Sequence, residues 1–309
     1  MDELRWDGRV AIVTGAGRNL GRAYARLLAA RGARVVVNDV GVAISDTDGS
    51  GAAPVTNPAH EVVDEIGRTE GPGVAVASTE SVATPEGGEA IVATALDAFG
   101  RVDVVVNNAG VVRQAPFEDY GPELVDAVFA SQLGGHFNVT RAAWPHMQAQ
   151  GFGRVVNVSS GAGLWGVPNM AAYATAKMGV VGLTRVLALE GRAHGINVNV
   201  VAPNAKTRPG GFGPIPASPA LFDWLSPDMI SPLVAWLVHE SCGVTGECFS
   251  VGGGYIGRVV LAVTDGRRDR AMTPESVRDH FDEVMDDGVL TPMPAGTGDV
   301  ARMLEGFGA

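Results

Sequence analysis

The sequence predicts a doubly wound α/β domain: a parallel sheet of seven strands with helices on both faces, followed by a C-terminal helical extension. Two observations carry this. Short valine-rich runs alternate with longer segments of helical period, the pattern of βαβ units. The 42 glycines among 309 residues are scattered, with neither collagen spacing nor a low-complexity block, and so supply many tight turns. Strands are expected over residues 10–14, 34–38, 74–77, 102–107, 154–159, 196–201 and 247–251. In the first intervening helix, Leu20, Ala23, Tyr24, Leu27 and Leu28 form one stripe while Arg22 and Arg26 lie elsewhere, and Gly32 closes it. Two stretches break the alternation: residues 41–58, rich in Gly, Ser, Asp and Pro, and residues 203–227, with six prolines, Phe212, Phe222 and Trp224. Long irregular loops of this kind are expected to be functional lids or mobile segments. Past Gly254 an amphipathic helix is expected to start at Thr273-Pro274, with Val277, Phe281 and Val284 inward. One such stripe is too small for a core. Residues 1–254 are therefore read as one catalytic domain and 255–309 as an extension packed on it.

Composition narrows the function. Hydrophobic residues are 46% and charged residues 18%, which excludes a disordered chain. A formal charge of −11 repels phosphate backbones and anionic lipid, so neither nucleic acid nor a membrane is an expected partner. Cys242 and Cys248 are too few for a secreted disulfide scaffold, and no apolar run approaches the roughly 18 residues of a membrane helix. The start, Met-Asp-Glu-Leu-Arg, lacks a signal-peptide pattern, and the end, Gly-Phe-Gly-Ala, is not a Ser-Lys-Leu address. A cytoplasmic protein is expected.

The first strand ends in Thr14-Gly15-Ala16-Gly17-Arg18-Asn19-Leu20-Gly21 and runs straight into a helix. Small residues there let backbone N–H groups and the helix N-terminus approach a pyrophosphate, as in Rossmann-type dinucleotide domains. Asp39, at the end of the second strand and 24 residues after Gly15, is placed to accept hydrogen bonds from a ribose diol. Its carboxylate repels a 2′-phosphate, which favours NAD over NADP; Arg18 argues the other way, unless it pairs with Asp39 or the pyrophosphate. Asn107-Asn108-Ala109-Gly110 closes the fourth strand, where paired amides and a glycine can bridge strands and sit near the cofactor, although a bare turn would use the same Asn-Gly chemistry.

Ser160, Tyr173 and Lys177 form the strongest constellation. Tyr173 and Lys177 stand four apart, which on a helix puts both on one face. An unperturbed phenol titrates near 10, too high for a general base at neutral pH, and an adjacent ammonium favours the phenolate. Ser160 ends the preceding strand and can hydrogen-bond a substrate oxygen on which charge develops.

Together with Val251-Gly252-Gly253-Gly254, these residues resemble the short-chain dehydrogenase/reductase family over residues 8–254. Within it the chain is more similar to the (3R)-hydroxyacyl-CoA dehydrogenases of fatty acid metabolism. That likeness rests on Val37-Asn38-Asp39-Val40-Gly41, Ala202-Pro203-Asn204-Ala205, the run from Trp236 to Cys242, and Met272-Thr273-Pro274-Glu275. The resemblance implies an NAD-dependent enzyme in which Tyr173 removes the hydroxyl proton, Lys177 holds the ribose, and Ser160 stabilises the alkoxide-like oxygen. It also implies a homodimer or homotetramer. Asn19 stands where the family has its second turn glycine, tolerable because Asn visits positive φ more readily than most residues. Glu80, followed by Ser81, stands where many members place an aspartate near the adenine. Gln132 aligns with the asparagine that often completes a catalytic tetrad, and its amide reaches one methylene further. A steroid-like secondary alcohol is the alternative substrate, and a nucleotide-binding regulator without turnover the alternative class. His239, Cys242 and Cys248 fall short of a zinc signature, so no metal is expected. Arg267-Arg268-Asp269-Arg270 is read as a solvated turn.

Overall fold

The computed structural model describes residues 3–41, 56–205 and 224–296. Most of the 41–58 insertion, most of the proline-rich 203–227 stretch with Phe212 and Phe222, and everything after 296 lie outside them. The seven expected strands are β1 (Val10–Thr14), β2 (Arg34–Asn38), β3 (Ala75–Ser78), β4 (Val104–Asn107), β5 (Gly153–Val158), β6 (Ile196–Pro203) and β7 (Cys248–Gly252). All pair in parallel, in the order β3-β2-β1-β4-β5-β6-β7. Chain order reverses between β1 and β4, which opens a crevice above their C-terminal ends.

The strands are apolar throughout because both faces are covered. Along β1, Ala11 and Val13 join a core with Tyr24, Leu28, Val62, Ile66 and Leu237, whereas Val10 and Ile12 join a second core with Ile91, Val139 and Met147. That two-residue alternation assigns helices α1 (Asn19–Ala30), α2 (Pro58–Glu70) and α8 (Ser231–Val238) to one face. Helices α3 (Pro85–Phe99) and α5 (Gly135–Gln150) cover the other. Between α3 and α5 lies α4 (Pro122–Phe129); α6 (Gly161–Trp165) and α7 (Ala171–Gly191) follow β5. Gly32, with φ 95°, closes α1 as expected.

An eighth strand, β8 (Tyr255–Val259), extends the sheet beyond the expected seven. Gly253 and Gly254, at φ 58° and 78°, form the two-residue loop before it, and two positive φ values in succession turn the chain back as a hairpin.

The chain divides into compact units at Met1–Gly257 and Arg258–Ala309. The second is not simply helical. Strands β9 (Ala262–Thr264) and β10 (Leu290–Pro292) pair antiparallel. A helix does start at Thr273, whose side chain and that of Ser276 cap each other's backbone. It breaks at His280, where φ is −127°, leaving α9 (Pro274–Asp279) and α10 (Phe281–Met285). The break splits the expected stripe, and Val277, Phe281 and Val284 stay 38%, 50% and 37% exposed rather than inward.

Candidate active site

The glycine turn is bolted to the end of β4. Thr14 Oγ1 accepts the backbone N–H groups of Asn108 and Ala109 at 3.0 Å each, and Asn108 Nδ2 donates to the carbonyls of Thr14 and Gly15. A β-carbon on Gly15 would fall 2.8 Å from the Ala109 backbone, and one on Gly21 would fall 2.3 Å from the Gly15 oxygen, so both positions exclude larger residues. Asn19 adopts φ 48°, the left-handed conformation its side chain tolerates. No side chain caps α1 at Arg18 and no acidic residue occupies its first turn, which leaves the positive helix end facing the crevice.

Asp39 sits at the same corner. Its Oδ2 accepts the Gly17 N–H at 3.0 Å and its Oδ1 the Gly41 N–H at 2.9 Å, so the carboxylate is oriented by the backbone and keeps further lone pairs for a diol. The Glu80 carbonyl accepts from Asn38 Nδ2 at 2.9 Å, and the residue is exposed. Ser81 beside it lines the crevice.

At the other end β5 delivers Ser160, which leaves extended backbone to cap α6 and accepts the Ala162 N–H at 3.2 Å. Tyr173 and Lys177 lie one turn apart on α7, with the Lys177 nitrogen 5.7 Å from the Tyr173 ring centre. Lys177 is 2% exposed, and its Nζ donates to the Val158 carbonyl at 2.5 Å. Burial lowers its pKa to about 7. Ser159 Oγ donates to the Lys177 carbonyl at 2.7 Å, tying the strand end to the helix.

Gln132 lies in a π-helical segment, Ala130–Gly134, between α4 and α5. This wider turn brings two consecutive side chains onto Val111: Ser131 Oγ accepts its N–H at 3.2 Å, and Gln132 Nε2 donates to its carbonyl at 2.9 Å. Gln132 Oε1 is buried without a partner. Gly110 is flush against this amide, since a β-carbon there would fall 2.2 Å from Gln132 Cδ.

One crevice of about 600 Å³ joins these parts, running from Arg18, Asn19, Leu20 and Asp39 past Gly15 and Asn108–Gly110 to Gln132, Ser160, Tyr173 and Lys177. Gly17 and Gly21 are not among its lining residues. Sequence reasoning missed Thr14, Ser131 and Gly163. A β-carbon on Gly163 would stand 2.8 Å from that of Lys177, so α6 packs on α7 only through glycine. Nothing in their local sequence distinguishes these three from ordinary strand, helix and turn residues. Among the described residues no cluster of His, Cys, Asp and Glu could hold a metal ion, and no helix is long and apolar enough to cross a membrane.

Residues 9–208 match the sequence model of a family described as short chain dehydrogenase. The peroxisomal multifunctional enzyme type 2 of Mus musculus is 45% identical over 287 residues, 92% of this chain but 37% of that protein. A hydroxyacyl-CoA dehydrogenase of Mycobacterium tuberculosis is 38% identical over 260 residues, 80% of this chain and 78% of that one. The full-length peroxisomal multifunctional enzyme type 2 of Drosophila melanogaster superposes with a TM-score of 0.80 at 32% identity, covering 98% of this chain and 50% of that one. The chain thus spans about a third to a half of the multifunctional relatives it matches.

Proposed function

Because the chain belongs to the short-chain dehydrogenase family, an oxidoreductase family acting on CH–OH groups, we propose that it oxidises a (3R)-hydroxyacyl-CoA reversibly to the 3-ketoacyl-CoA with NAD. The observation that carries this is the single crevice with Asp39 at one end and Ser160, Tyr173 and Lys177 at the other. Those residues fit a dinucleotide: an oriented carboxylate for a ribose diol, an uncapped helix start for a pyrophosphate, and Gly110 flat against the buried Gln132 amide. Asp39 favours NAD, since a 2′-phosphate would meet its negative charge at short range.

A bound nicotinamide would supply the hydride acceptor. The chain does the rest. Tyr173 Oη takes the proton of the substrate hydroxyl, and the Lys177 ammonium favours the phenolate that can do so. Ser160 Oγ donates to the same substrate oxygen, where negative charge develops. Lys177 Nζ rests on the Val158 carbonyl and would turn its N–H groups to a ribose diol. Gln132 and Ser131 hold Val111, and with it the loop after β4 that forms the crevice floor.

The substrate class rests on the relatives' names and on the acyl-CoA-type motifs of the sequence. Following NADH absorbance with (3R)- and (3S)-hydroxyacyl-CoAs and hydroxysteroids tests it. Turnover of the (3R)-thioesters above the others supports the reading, and turnover of hydroxysteroids alone replaces the substrate. Flat traces with NAD still bound would mean a regulator. A homodimer or homotetramer belongs to the same proposal and is read by light scattering; a cytoplasmic location, although the multifunctional relatives are named peroxisomal, is read by imaging the tagged chain.

A further inference from the structure

His136 stands in the first turn of α5, 1% exposed and within electrostatic reach of Lys177. Its Nε2 is buried and completes no hydrogen bond. Two backbone carbonyls face the ring, those of Asn107 at the end of β4 and Val158 at the end of β5. The Val158 carbonyl is the one on which Lys177 Nζ rests. Lysine and imidazole therefore converge on one oxygen from two helices, and the close bond to it is the lysine's. From α7 the charged group facing His136 is Lys177; β4 and β5 present carbonyls; and Gln132, one turn earlier, is a neutral amide. Burial first, and then Lys177, hold the imidazole well below its ordinary pKa, so it is neutral and carries one N–H.

The surroundings are short of donors. Asn107 Oδ1 and Gln132 Oε1 are also buried acceptors without a partner. If Lys177 turned its N–H groups toward a nucleotide ribose, Val158 would join them, and an unsatisfied buried carbonyl opposes such a turn. A neutral N–H already beside that carbonyl removes the opposition and adds no second positive charge. We propose that His136 is a positioning residue for Lys177: it takes over the Val158 carbonyl when the ammonium engages a nucleotide ribose. This rests on the dehydrogenase reading above, in which Lys177 serves the ribose.

The test compares His136→Phe, which keeps a ring but has no donor, with His136→Gln, which restores an N–H. NAD binding is measured by calorimetry at pH 8, alongside KM for NAD and kcat. His136→Phe should weaken NAD binding about tenfold and raise KM to match, while kcat at saturating NAD stays within about threefold; His136→Gln should bind within about threefold of the parent. A packing role alone would weaken both variants equally, and that result overturns the proposal, as does a folded His136→Phe with parental affinity. Should His136→Phe fail to fold, the parent chain labelled with 15N-histidine answers the same question. The Nε2 resonance that disappears in His136→Gln should be that of a neutral, protonated nitrogen and should move when NAD is added; a resonance unmoved at saturating NAD overturns the handover. A parent that binds neither NAD nor NADP defeats the dehydrogenase reading and this inference with it, whereas normal binding with an inert His136 defeats this inference alone.

Discussion

Gln132 donates its side-chain amide to the carbonyl of Val111 at 2.9 Å, from a π-helical turn that aims it at the loop leaving β4. The extra methylene relative to asparagine is taken up by that wider turn and by Gly110, which offers no β-carbon to obstruct the amide. Gln132→Ala should therefore lower kcat/KM by about tenfold or more, because Val111 and the crevice floor lose their anchor. Gly110→Ala should produce a comparable loss, because its methyl would push the Gln132 amide aside. Steady-state kinetics of the two variants check this; parental kcat/KM in both would dismiss the anchor.

Asp39 is predicted to set cofactor choice. Asp39→Ala should weaken NAD by about 10- to 100-fold, the scale of a lost charged hydrogen bond of ~1.5–3 kcal/mol, and relax discrimination against NADP. Because the carboxylate also accepts the Gly17 and Gly41 N–H groups, melting temperature should fall as well. Kinetics with both cofactors read the ratio. An unchanged NAD to NADP preference would remove Asp39 from its role.

Lys177 makes stability depend on pH in a defined direction. Its folded pKa of about 7 lies below the ordinary value of 10.5, so between these limits the unfolded chain holds a proton that the folded chain has lost. The burial cost is therefore fully present below pH 7 and is relieved as pH rises toward 10. It amounts to at most ~5 kcal/mol. Lys177→Met, which carries no charge, should be more thermally stable than the parent near pH 6, and the gap should narrow by pH 9–10. Denaturant melts across that range would contradict the account if the two stability curves ran parallel.

Gly163 is a point of close approach between α6 and α7. A β-carbon there would stand 2.8 Å from that of Lys177 and 3.0 Å from its carbonyl carbon, so Gly163→Ala should force the helices apart. A destabilisation of ~1–3 kcal/mol is expected, with a fall in activity because Ser160 and Lys177 are carried on the two separated elements. Chemical denaturation together with kcat measures both effects; a neutral substitution would show that α6 shifts at no cost.

Much of this architecture was legible because parallel strands buried on both faces leave unmistakable valine runs, and Tyr173 and Lys177 are separated by one helical turn. Strand β8 escaped because Gly253-Gly254 reads equally as the end of a glycine-rich motif and as a hairpin turn; only the positive φ at both positions separates these. The π turn at Ala130–Gly134 has no composition of its own, and so the reach of Gln132 was open until the backbone was seen. At Glu80 the backbone carbonyl accepts from Asn38 Nδ2, a contact that the residue type does not signal. In the extension, the cap at Thr273 was readable from local chemistry, whereas the break at His280 was not.

The most direct measurement is the pre-steady-state rate of NADH formation by Tyr173→Phe with a (3R)-hydroxyacyl-CoA, with NAD affinity measured in parallel. Loss of the proton acceptor at unchanged cofactor binding should slow the reaction by about 10²–10⁴-fold. A variant forming NADH as fast as the parent would show that the proton leaves by another route and would contradict the role given to Tyr173.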